Sequence, residues 1–127
     1  MSIYIAGKYP AQARLRAIRD RFRRLGYIVT SSWLDEKATD ENASEELMYA
    51  NALRDLQEVR RCEVFILDTL DESVTGGREV ELGEALSLTK DLILVGPKRN
   101  IFHYLFDTSA CFPNWDLFWR NSDALVE

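Results

Sequence analysis

Cysteine and histidine are scarce in this chain, with two Cys and one His among 127 residues. Cys62 and Cys111 show neither metal-ligand nor Cys-x-x-Cys spacing, so no metal centre and no thiol redox motif organises the fold. Both are expected to be small buried residues in a reducing compartment. Long apolar runs are missing too. Nothing approaches the length of a membrane span, and the first residues enter a strand directly without the layout of a signal peptide. The expectation is a cytoplasmic protein with no membrane partner. Positive charge is not in excess: 16 Lys and Arg face 21 Asp and Glu, for a net charge of -5. A broad surface for a nucleic-acid polymer is therefore not expected, although a local pocket for a small anion is compatible with that balance. There is no P-loop and no dinucleotide-binding glycine fingerprint, and no cofactor is expected. Internal repeats and low-complexity segments are also lacking.

What remains is ordinary globular material, 46% hydrophobic and 29% charged. The length suits one domain, residues 1–127. Ile3 to Gly7 reads as a first strand, followed by the loop Lys8-Tyr9-Pro10. From Ala11 to Leu25 the apolar residues Leu15, Ile18, Phe22 and Leu25 recur at three- or four-residue steps, the mark of a helix. The other face of that helix holds Arg14, Arg16, Arg19, Arg21, Arg23 and Arg24, read as a solvated face rather than a nucleic-acid surface. Gly26 closes the helix. Tyr27 to Trp33 is the second strand and Leu34 to Ala43 a polar loop. Ser44 is the N-cap of a long helix, Glu45 to Arg61, whose predicted buried stripe is Leu47, Ala50, Ala52, Leu53, Leu56 and Val59. Cys62 to Leu67 is the third strand and Leu92 to Val95 the fourth. Gly96 to Asn100 is a loop, Ile101 to Phe106 one or two helical turns, and Ala110 to Phe112 a short fifth strand. A last helix runs from Asn114 or Trp115 to about Asn121, with Trp115 and Trp119 in the core. Alternation of strand and helix predicts an α/β fold: a flavodoxin-like, doubly wound parallel sheet of about five strands.

The most informative stretch is Thr75 to Lys90. It lies between two apolar runs, begins with the pair Gly76-Gly77 and continues as an amphipathic helix, so it completes a βαβ unit. In such a unit the loop and the helix start lie at the carboxyl edge of the sheet, where open α/β folds bind ligands. Two glycines let a guest approach the backbone, and a helix start offers unpaired N–H groups and a positive dipole end. Glu81 sits early in that helix. The same sheet edge collects Gly7, Trp33, Asp68, Arg78 and Asn100. Trp33 is a candidate to stack on an aromatic ligand. His103, the lone histidine, lies in an apolar segment, where a packed ring competes with a base contact.

Glu81-Leu82-Gly83-Glu84-Ala85-Leu86 resembles the Glu-Leu-Gly-Tyr-Ala-Leu signature of the nucleoside 2-deoxyribosyltransferases and the related deoxynucleotide N-hydrolases. The first strand, Ile3-Tyr4-Ile5-Ala6-Gly7, resembles the family's opening strand, and Asn51 to Val59 its helix with an Asp-Leu pair. The resemblance implies that Glu81 is a nucleophile attacking the anomeric carbon, that Tyr4 holds its carboxylate, and that Asp55 assists base departure or holds the sugar. The competing reading of Asp55 is a helix carboxylate paired with Arg54 or Arg61. Six residues before the nucleophile the transferases often carry Asp and the N-hydrolases Ser; this chain has Thr75. With Gly76, Gly77 and Arg78, Thr75 is a candidate phosphate cradle. The family's Tyr after the Gly is Glu84 here. The resemblance further implies a homo-oligomer whose sites borrow an Asn from a neighbour, a role for which Asn100 or His103 is the candidate. Its substrates would be a deoxynucleoside or deoxynucleotide and a free nucleobase. Base exchange through a covalent Glu81–deoxyribosyl intermediate is the leading expectation. Hydrolysis of deoxynucleoside 5′-monophosphates and a non-catalytic nucleotide-binding module are the alternatives.

Overall fold

The computed structural model describes residues 1–37, 43–72 and 75–121. Its centre is a five-stranded, all-parallel sheet of β1 (Ser2–Ala6), β2 (Ile28–Val29), β3 (Val64–Asp68), β4 (Asp91–Val95) and β5 (Cys111–Phe112), in the order β2-β1-β3-β4-β5. That is the doubly wound order the alternation predicts. The middle strands are apolar almost throughout because helices cover both faces of a parallel sheet. Ile3, Tyr4, Ile5, Phe65, Ile66, Leu67 and Leu94 are fully enclosed.

Four helices complete the fold: α1 (Gln12–Arg24), α2 (Glu45–Arg61), α3 (Gly77–Ser87) and α4 (Trp115–Arg120). Phe22 of α1 meets Trp115, Phe118 and Trp119 of α4 edge-on or tilted, with ring centroids 4.7–6.3 Å apart. Those two helices share a face, while α2 and α3 pack against each other. Ser44 caps α2 by accepting from Leu47 N, as expected of an N-cap serine.

Several elements differ from their sequence reading. The second strand stops after two residues instead of reaching Trp33, because side chains finish its ladder: Ser31 Oγ accepts from Ile5 N at 3.2 Å, and Trp33 Nε1 donates to Ile5 O at 2.8 Å. The chain then turns through a 3₁₀ segment, Ser32–Asp35, and delivers Trp33 to the sheet edge. The rest of the expected polar loop lies partly outside the described residues. The arginine face of α1 is largely engaged. Arg14 binds Asp68 and Asp71, the buried Arg19 binds Asp20 and Asp35, and Arg21 stacks on Trp119 at 4.1 Å. On α2 only the C-terminal end of the predicted stripe is covered: Val59 is buried and Leu56 partly so, whereas Leu47 (47%) and Leu53 (38%), with Ala50 and Ala52, are exposed. The rest of that stripe is not covered by the described residues. Cys111, expected to be buried, is only half-buried.

Candidate active site

A cleft of about 520 Å³ opens at the carboxyl edge of the sheet, bounded by the turn after β1, the 3₁₀ segment after β2, α2 and the start of α3. Gly7, Tyr9 and Trp33 form one wall, Met48, Asn51, Ala52 and Asp55 of α2 another, and Thr75, Gly77, Arg78 and Glu81 a third. Gly7 is needed here for packing: a Cβ would stand 2.7 Å from Leu15 Cδ1, a side chain with no exposed surface. At Gly76 and Gly77 a Cβ would meet nothing within 4 Å among the described residues beyond the adjoining backbone.

Tyr4, 77 residues away in sequence, donates its hydroxyl to Glu81 Oε2. The ring is wholly enclosed and stacked on Phe65 at 5.9 Å and 4°, so the hydroxyl has little freedom to leave. Burial pushes the Glu81 carboxyl up to about 8; the Tyr4 hydroxyl opposes that rise, and the charges of Asp55 and Glu58 add to it. Tyr4 is itself raised well above the usual phenol range, first by burial and then by Glu81, so it acts as donor and not as phenolate. Asp55 is also raised, mainly by burial, against the pull of Arg54. The pairing of Asp55 with Arg54, at 3.1 Å, coexists with its place in the cleft wall. Titratable groups displaced from their ordinary range and gathered in one cleft mark a candidate for catalysis.

Other predicted site residues, in the cleft wall or outside it, are held by structural partners. Asp68, 1% exposed, is a structural hub: Arg14 Nη1 donates to it at 2.7 Å, Trp115 Nε1 at 2.7 Å and Leu70 N at 3.0 Å. Arg78 lines the cleft but is 4% exposed, and its Nη1 donates to the carbonyls of Asp68 and Asp71. Arg99 donates to the carbonyls of Thr69 and Leu70. Three arginines thus staple the segment after β3, Arg78 doing so through Nη1. Trp33, 5% exposed and tied by its Nε1, is a wall; Tyr9, 39% exposed and edge-on to it at 5.9 Å, is the more open ring. Asn100 caps a 3₁₀ turn (Ile101–Leu105) by accepting from Phe102 N. His103 is fully buried outside the cleft: its Nδ1 accepts from Arg99 N at 3.0 Å, leaving the ring hydrogen on Nε2 to donate to Glu79 Oε1 at 2.9 Å. The packed ring is the outcome.

Glu36, Tyr9, Met48 and Asn51 belong to the cleft without having been singled out. For Met48, Asn51, Ala52 and Asp55 the signal was helical spacing, since these positions share one face of α2. No group of His, Cys, Asp and Glu able to hold a metal occurs among the described residues. No helix among them is long and apolar enough to cross a membrane.

No family model and no curated protein matches the chain by sequence. Solved structures match it by fold. A 2-deoxyribosyltransferase from Bacillus psychrosaccharolyticus superposes with a TM-score of 0.70 at 21% identity, covering 91% of this chain and 88% of that one. A CMP N-glycosidase from Clostridium botulinum gives 0.63 at 15% identity, over 97% and 98% of the two chains. A conserved protein from Enterococcus faecalis gives 0.57 at 20% identity, over 82% and 70%. At these identities the likeness establishes a shared fold.

Proposed function

We propose that this protein is a nucleoside 2-deoxyribosyltransferase-like enzyme that breaks the N-glycosidic bond of a 2-deoxynucleoside and passes the sugar to a second base. The observation that carries the reading is the Glu81 carboxylate, fixed by an immobile Tyr4 hydroxyl and lining the same cleft as Asp55. Structures of a 2-deoxyribosyltransferase and a CMP N-glycosidase with this fold support the reaction class.

Cleavage of a glycosidic bond develops positive charge on the sugar, and a carboxylate at the anomeric carbon captures it. In the first step a bond forms between a Glu81 carboxylate oxygen and C1′ while the C1′–N bond breaks. The departing base takes a proton from Asp55. In the second step a nitrogen of the incoming base attacks C1′, Glu81 leaves as carboxylate, and the proton of the incoming base returns to Asp55. The cleft holds a proton for this cycle, because burial raises the Glu81 carboxyl to about 8. Glu81 gives that proton to Asp55, which passes it to the departing base, so that Glu81 is left as the carboxylate that attacks C1′. Tyr4, donating to Glu81, holds the rotamer and stabilises the carboxylate in its attacking form.

Hydrolysis of a deoxynucleoside monophosphate is the second reading, in which water replaces the incoming base. The CMP N-glycosidase, matched over nearly its whole length, favours it. So do Lys8 in the cleft wall and, among the described residues, the open space at Gly76 and Gly77. On either reading we propose a homo-oligomer. Leu47, Tyr49 and Leu53 on α2, with Ile101, Phe102, Tyr104 and Leu105 after β4, are large exposed apolar residues that a second copy would cover.

The test is Glu81→Gln, assayed for turnover and, by calorimetry, for deoxynucleoside binding. Turnover is expected to vanish while binding persists. Near-normal turnover would overturn the assignment of Glu81, and binding without turnover in the wild type would favour a nucleotide-binding module.

A further inference from the structure

The two carboxylates of the proposed reaction sit in acidic surroundings. Facing Asp55 are Glu36 from the segment after β2, Glu58 one turn further along α2, Tyr4 from β1, Tyr9 from the turn after β1 and Glu81 from α3. Among the described residues, Arg54 is the cation in contact with Asp55. Its Nη2 donates to Glu36 Oε2 at 2.5 Å and to Asp55 Oδ1 at 3.1 Å. One guanidinium nitrogen therefore joins two cleft carboxylates from two different elements. The Glu36 end is anchored in turn: Gln12 Nε2 donates to the carbonyls of Trp33 and Glu36 at 2.7 and 2.6 Å. Arg54 itself is not part of the cleft wall. It reaches the chemistry only through its neighbours.

We propose that Arg54 is a positioning residue for the reaction proposed above: by tying Asp55 to Glu36 it holds the Asp55 carboxylate in one orientation at the cleft and sets the charge of the Asp55–Glu81 pair. A planar guanidinium suits this task better than a flexible ammonium, because its donors are fixed relative to one another. Asp55 and Glu81 line one cleft, and the charge of Asp55 adds to the rise of Glu81, so a charge beside Asp55 reaches both carboxyl groups. Removing the positive charge of Arg54 lets the pair hold its protons to higher pH. Removing the negative charge of Glu36 does the opposite. A merely structural brace would produce neither shift.

The experiment uses the full chain with Arg54→Ala, Arg54→Lys and Glu36→Gln. Carbon-13 NMR titration reads the carboxyl groups of Asp55 and Glu81, and kcat/KM for a deoxynucleoside is followed against pH. Arg54→Ala is expected to move the pair upward by about one pH unit and Glu36→Gln to move it downward. Arg54→Lys should stay between Arg54→Ala and wild type. The kcat/KM profiles should be displaced in the same directions, with kcat of Arg54→Ala down between about 10- and 100-fold at neutral pH and KM nearly unchanged. Shifts of the same sign in Arg54→Ala and Glu36→Gln, or a loss of kcat with an unmoved pH profile, would overturn the proposal. A wild type that splits no deoxynucleoside would refute the proposed reaction. The NMR titrations would still decide whether Arg54 sets the charge of the pair.

Discussion

Replacing Glu81 with Gln should make the protein more stable at alkaline pH while leaving it unchanged in acid. Below about pH 4.5, the ordinary value, the Glu81 carboxyl is protonated in both the folded and unfolded chains, and pH has no differential effect through it. Between about 4.5 and 8 the unfolded chain has released this proton and the folded chain still holds it. Folding then takes up a proton, so stability falls as pH rises. Above about 8 both states are ionised and the full cost of a part-buried carboxylate is present. Each pH unit of that interval is worth about 1.4 kcal/mol. The wild type should therefore lose on the order of 5 kcal/mol through this residue on going from acid to alkaline pH, a large part of the 5–15 kcal/mol typical of a domain. Glutamine keeps the shape, can still accept from Tyr4 and has no charge to bury. Urea denaturation of both proteins between pH 5 and 9 measures the difference directly. The two stability curves should meet near pH 5 and separate steadily to about pH 8. Parallel curves, or a Gln variant less stable at pH 8.5, would refute the electrostatic description of the site.

Tyr4→Phe removes a hydrogen bond to a charged group, worth about 1.5–3 kcal/mol, and lets the Glu81 carboxyl rise further. The kcat/KM should fall about 10- to 100-fold at pH 7 and recover partly by pH 9; an equal loss at every pH would contradict the role given to Tyr4. Asp68→Asn leaves Arg14 and the Trp115 indole facing an amide instead of a carboxylate. Because Arg14 is part-exposed, the loss in urea denaturation should be about 2 kcal/mol, and a neutral change would refute the hub. Leu47→Glu combined with Tyr104→Glu should convert an oligomer to monomers in sedimentation velocity, whereas a wild type that already sediments as a monomer would refute the covered face.

What was legible in the sequence follows the range of the forces involved. The βαβ unit around Gly76 and Gly77 is written in local patterning, and so are the sheet order and the long helix α2. Glu81 and Tyr4 stood out through their resemblance to a known pattern, and the hydrogen bond between them agrees with it. Asp68, by contrast, looked like a site acid because it ends a strand at the ligand edge. Its partners, Arg14 and Trp115, lie 54 and 47 residues away, and no local signal announces such pairs. Arg78 lines the cleft as expected, but its bonds to the carbonyls of Asp68 and Asp71 were not legible, since they belong to a loop whose path depends on the whole fold. Periodicity marked α2 as a helix but misplaced its buried stripe, of which Val59 is buried and Leu56 partly so, because spacing alone does not say which positions a neighbour covers. The truncated β2 reflects side chains, Ser31 and Trp33, taking over backbone pairing, a substitution that strand propensity does not register.

The most direct test of the central claim is chromatography of products after incubating the protein with a purine deoxynucleoside, with and without a second free base. A parallel incubation would contain the 5′-monophosphate. A new deoxynucleoside that forms only when the second base is present is the expected result and establishes transfer. Free base and deoxyribose, or its 5-phosphate, without an acceptor would assign the hydrolase instead. Unchanged substrate in every incubation would contradict N-glycosyl chemistry at Glu81.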